Sequence, residues 1–192
     1  MGLNFTSYVP TVLNGVNSPS QTLAAEVVTG MPISTGALPG ARFYMTEQQA
    51  NQLSNNLCHE GWYRVVQVDS GATPGYINFG YIGAQLSLTK GQDVVTSADK
   101  SLAAGIAPCI FLGTVTPGNY TIVQDQGDAT VMQSAGSVTL GNILSYTTAQ
   151  NGEAGTAGTT FVTGTVGVAE AAATVAGLIR VRLGFPFGQL AD

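Results

Sequence analysis

The chain has 192 residues, enough for one domain with a real core, or for one domain plus an extended arm. Only 9% of its residues are charged, against about 25% in typical soluble domains, which suits a surface largely covered by partners. Its net charge of −5 and six scattered basic residues (Arg42, Arg64, Lys90, Lys100, Arg180, Arg182) argue against a phosphate-tracking groove, and so against nucleic acid.

No membrane span is expected, because apolar runs such as 105–115 are short and broken by Gly, Pro and Thr. Residues 1–41 contain no Lys or Arg for a secretory n-region. Asn4-Phe5-Thr6 and Asn119-Tyr120-Thr121 match the glycosylation sequon and the first six residues fit a loose myristoylation pattern. Without targeting context these read as chance matches. Cys58 and Cys109 are too few for a disulfide framework and suggest folding in a reducing compartment.

Residues 1–40 read as an extended arm. They hold one charge, Glu26, and four of the eight prolines, yet Leu3, Phe5, Tyr8, Val9, Val12, Leu13 and Val16 need a surface to lie on. That surface is either the arm's own domain or a neighbouring subunit on which the arm orders. Residues 41–192 read as a β-rich domain. Arg42 to Tyr44 opens it as a short strand. Thr46 with Gln49 forms a capping box, and Ala50, Leu53 and Leu57 follow at helical spacing, so a helix is expected from about Glu47 to Asn56.

Trp62 to Val68 alternates as a strand, with Trp62, Arg64, Val66 and Val68 on one side. Ser70 to Gly75 is a turn cluster, and Tyr76 to Leu88 a strand region broken by Gly80 and Gly83. Gly91 to Val95 and Leu102 to Pro108 look like turn and edge segments, and Cys109 to Val115 like a buried strand. Pro117-Gly118 turns into Gly118 to Met132, which reads as a hairpin whose turn is Gln124 to Asp128. Short strands and glycine turns follow at Gly136 to Gly141, Gly164 to Val168 and Leu178 to Gly184. Gln150 to Thr160 reads as an exposed loop tip, and the Ala-rich run after Val168 as a connector between two strands.

No catalytic constellation emerges, so the chain is not expected to be an enzyme. His59 is the one histidine, and it is expected at a helix end where its charge suits the dipole. One His and two Cys do not make a zinc site, and no glycine pattern matches a nucleotide loop, so no cofactor or metal is expected. Asp125 and Asp128 flank the expected turn and are read as turn formers. Arg180 and Arg182 share one strand face, either solvent or a partner's carboxylates.

The stretch Gly118 to Met132, the spacer Gly141 to Tyr146, Gly164 to Ala173 and Leu178 to Leu183 together resemble bacteriophage capsid decoration (cement) proteins. In that family an aromatic-x-x-Val-Gln-x-x-Gly-x-Ala-x-Val stretch precedes a Val-Gly-x-Ala strand, an Ala-rich connector and a final strand. The resemblance covers about 86–184. It implies a small β-barrel or β-sandwich, here with one short helix and the arm, seated as a homotrimer on the outer surface of an icosahedral head. Such a virion protein is made in the host cytoplasm, and its partners are the major capsid protein and itself. On this reading Leu3, Phe5, Tyr8 and Val12 contact the capsid, and Phe185 and Phe187 contact the neighbouring subunit. A carbohydrate- or receptor-binding module of a viral fibre or adhesin is the alternative; such modules usually offer exposed Trp and Tyr platforms beside acidic residues, and here the one tryptophan, Trp62, falls in an expected strand next to the helix.

Overall fold

The computed structural model describes residues 42–54, 57–86, 94–98, 108–134, 136–146, 152–162 and 164–184. Within them the protein is mainly β, as expected, with ten strands in one continuous sheet. In chain order they are β1 (Arg42–Met45), β2 (Gly61–Val68), β3 (Ile82–Gln85), β4 (Val94–Ser97) and β5 (Pro108–Phe111). Next come β6 (Tyr120–Gln133), β7 (Ile143–Ser145), β8 (Gly155–Thr156), β9 (Thr165–Ala169) and β10 (Gly177–Leu183). One helix, α1 (Glu47–Ser54), follows β1.

The capping box that predicts α1 is formed. The Thr46 N–H donates to Gln49 Oε1 at 3.0 Å, and Gln49 N–H lies 3.5 Å from Thr46 Oγ1. Ala50 is fully buried on the helix's inner face. Leu57 does not continue that stripe: it lies beyond the helix and is 43% exposed.

The expected hairpin at Gly118 to Met132 is not a hairpin. It is the single 14-residue strand β6. The reversal fails because the two halves find different partners. The first half pairs with β2 and β5, and the second with β10. Gly127 does take a positive φ of 96°, but it serves a bulge rather than a turn. Trp62 pairs with Gln126 and Tyr63 with Gln124, so Asp125 is the extra residue on β6.

The pairings close into rings. β2 pairs with β4, β4 with β3, β3 with β5, β5 with β6, and β6 with β2 again. On the far half of β6 a second circuit runs through β10, β9, β7 and β8, then returns to β6 by the Gln133–Ala154 bridge. Gly80 ties the two together. Its N–H donates to the Phe111 carbonyl at 2.9 Å and its own carbonyl accepts from Met132 N–H at 2.7 Å. Phe111 pairs with Val123, and a straight strand would carry Met132 roughly 30 Å beyond it. Strand β6 must therefore bend sharply, which the bulge and Gly127 permit.

The period-two alternation of the strands separates two of the buried clusters. Val66, Val68, Val95, Cys109, Phe111 and Val123 fill the first ring, closed at one end by Ala72, Ile77 and Val115. Ile110, between Cys109 and Phe111, points the other way. It joins Ile82, Ala129, Val131, Leu144, Val166, Ile179 and Val181 in the second core. Other expectations need correction here. Strand β4 is an inner member of the first ring rather than an edge. Residues 136–141 form no regular strand, only the isolated bridge Val138–Ala173. The expected tip at 150–160 is largely built into the sheet: Ala154 is fully buried and β8 pairs with β7. The connector between β9 and β10 is as expected.

Candidate functional site

Along β1, Phe43 and Met45 are buried while Arg42 and Tyr44 face outward. Tyr44 lies opposite Trp62 of β2, their ring centroids 5.7 Å apart and 69° between planes. The Arg42 guanidinium carbon sits 5.7 Å from the centre of the Trp62 ring. Both aromatics stay about two-fifths exposed, Tyr44 at 41% and Trp62 at 42%. Desolvation and the adjacent Glu60 carboxylate, which accepts its hydrogen bond, raise the Tyr44 phenol above its ordinary value.

This surface is held from beneath by the bulge. Asp125 accepts the Arg42 ε-nitrogen at 3.1 Å and lies 3.4 Å from that of Arg64. Arg64 is opposite Arg42 in the β1–β2 register but is buried, against the Cys109 sulfur. Burial pushes the Asp125 carboxyl up despite its two arginines. It also pushes the Cys109 thiol up to about 12, so that sulfur is not a nucleophile at neutral pH. Arg42 is therefore fixed over Trp62 by a carboxylate at its base, and an extra strand residue puts that carboxylate there.

A second polar group lies across β6, β9 and β10. Arg180 and Arg182 both face outward on β10, as the alternation predicts. Their partners are intramolecular. Asp128 accepts Arg180 at 2.7 Å and Arg182 at 3.2 Å, while Glu170 meets the same two at 3.2 and 2.9 Å. Burial opposes ionisation of Asp128, but the two arginines prevail and hold its carboxyl below the usual range. Asp125 and Asp128 are thus ion-pair partners inside a strand and not turn formers.

His59 is not at the C-terminal end of the helix. It lies in the segment leading to β2, its Nδ1 3.1 Å from Glu47 in the first turn of α1. Its Nε2 is 3.4 Å from Thr130 Oγ1, whose hydrogen goes to the Leu57 carbonyl at 2.8 Å. Its own carbonyl accepts from the Tyr63 hydroxyl. Among the described residues no group of three or more His, Cys, Asp or Glu is placed to hold a metal ion. Cys58 and Cys109 are both buried and neither is in a disulfide. No helix among the described residues is long and apolar enough to cross a membrane.

Leu3, Phe5, Tyr8, Val12, Phe185 and Phe187, the contact residues expected from the resemblance, lie outside the described residues. The sequence reading noted Trp62 but missed its union with Arg42 and Tyr44. The available signal was the out–in–out–in alternation of Arg42-Phe43-Tyr44-Met45. No spacing reveals Asp125, since a bulge decides where it points. The chain matches no protein-family model and none of the curated proteins, so its function is read from these surfaces and from the sequence.

Proposed function

We propose that this is a capsid decoration protein: it binds the outside of an icosahedral phage head and stabilises it by bridging major capsid protein subunits, as a homotrimer. The reading rests first on the resemblance carried by Gly118 to Met132, Gly164 to Ala173 and Leu178 to Leu183. The observation that supports it most is the economy of strand edges. Among the described residues the strands close into two rings and only β1 and the two-residue β8 end the sheet, a small length of edge that suits a protein displayed at high local density. The charge-poor arm of residues 1–40 supplies apolar side chains for a large contact. At a standard interface of roughly 800 Å² per partner, repeated over many copies, such contacts raise the cost of a subunit leaving the shell.

Co-sedimentation of the purified full chain with expanded heads that lack it tests this. Saturable binding that is lost on deleting residues 2–40, with the trimer intact, is the expected result. A protein that does not pellet with heads overturns it. The half-exposed Trp62–Tyr44 pair favours a second reading, a glycan- or receptor-binding module. Binding to immobilised glycans, abolished by Trp62→Ala, would select that reading.

A further inference from the structure

Among the described residues the sheet ends at two strands, the two-residue β8, which pairs only with β7, and β1, which pairs only with β2. The backbone groups on the other side of β1 make no hydrogen bond to any described residue. An open strand edge is a template for one kind of ligand, an extended polypeptide that continues the ladder. Natural edges are usually guarded by lysine, proline or a bulge. Strand β1 has none of these, and its one charge, Arg42, is engaged by Asp125.

The side chains beside this edge are those of a binding surface. Trp, Tyr and Arg are the residues that most often carry contact energy between proteins. Here Arg42, Tyr44 and Trp62 are packed on one another before any partner arrives, with Arg42 anchored by Asp125 at 3.1 Å. Preorganisation lowers the ordering cost of association. Arg42 lies over the Trp62 ring, which leaves less of that ring for a sugar to stack on. A peptide strand beside β1 needs only the rims of these rings and the waiting backbone groups.

We infer that the free edge of β1, with the outward face formed by Arg42, Tyr44 and Trp62, receives an extended segment of the protein that this chain decorates, as an added strand. The inference rests on the decoration reading and says where on the described body that contact is made. It leaves the arm a separate contact.

Hydrogen exchange of the unmodified protein, alone and saturated on heads, tests it without any variant. The amides of Arg42 to Met45 that face away from β2 are expected to slow at least ~10-fold on binding. Unchanged exchange there, with binding intact, overturns the inference and leaves the decoration reading standing. A second arm uses Tyr44→Lys and Trp62→Ala, with Leu140→Lys on a remote exposed turn as the control. The first two are expected to weaken head binding by ~10-fold or more while staying folded at the assay temperature, and the control by less than about twofold. Equal binding by all three overturns it. Glycan binding lost in Trp62→Ala while head binding persists overturns it in favour of a sugar. No binding of the unmodified protein to heads removes both readings.

Discussion

Gly61 and Gly127 face each other where β2 and β6 pair beside the bulge, and their replacement by alanine measures how tightly that junction is built. Gly127 has a φ of 96°, and a Cβ there would run into the Glu60 carbonyl oxygen and sit 2.8 Å from Gly61 Cα. Gly61 has no positive φ, but its Cβ would collide with the Gln126 carbonyl and lie 2.8 Å from Gln124 Nε2. Gly158 has a φ of 72° and open space around it. Three variants therefore separate strain from collision. Gly158→Ala carries only the left-handed penalty, roughly 1–2 kcal/mol. Gly61→Ala carries only the backbone displacement, roughly 1–3 kcal/mol or more. Gly127→Ala carries both, roughly 2–5 kcal/mol or more. For a chain of this size each kcal/mol lowers the melting temperature by about 2–4 °C. Urea and thermal melts should therefore rank the losses Gly127→Ala above Gly61→Ala and Gly158→Ala. If Gly158→Ala is the most harmful, or Gly127→Ala melts like the wild type, the described junction is wrong.

The two strand aspartates should behave oppositely with pH. The raised Asp125 carboxyl contributes stability that is full below its unfolded value of about 3.9 and is lost as pH rises through the folded value. Wild-type stability minus that of Asp125→Asn should therefore fall as pH increases, and a flat or rising difference would contradict the buried setting. The lowered Asp128 carboxyl contributes stability present above about pH 3.9 and lost as pH falls through its folded value. Its arginines are 48% and 63% exposed, so Asp128→Asn should cost less than about 1 kcal/mol at neutral pH, and less still in 1 M salt (a Debye length of about 3 Å). Tyr146 is buried with its hydroxyl making no hydrogen bond to the described residues, so Tyr146→Phe should leave stability unchanged or raise it by up to about 1 kcal/mol. A clear loss in chemical melts would reveal a partner. Ellman's reagent should titrate Cys58 and Cys109 only after unfolding, since both are buried; rapid reaction of the native protein would refute this.

The elements that local chemistry dictates were legible. Thr46 and Gln49 announced α1, the alternation of Trp62 to Val68 announced β2, and the Ala-rich run announced the β9–β10 connector. What failed was decided by distant partners. Gln124 to Asp128 has every mark of a turn, and only β2, β5 and β10 make it a bulged continuous strand. Ala154 looks like a loop residue and is buried because it closes the second ring onto β6. Arg64 is charged and buried because Asp125 lies beside it. The surface at Arg42, Tyr44 and Trp62 needs β1 and β2 in one register and a carboxylate from β6, which no single stretch displays.

The proposal that this protein cements a phage head is tested most directly by titrating it onto heads that lack it and heating them. The account predicts that the disruption temperature rises with occupancy and levels off once the sites are full. Heads that bind the protein to saturation yet break at the same temperature as bare heads would contradict it.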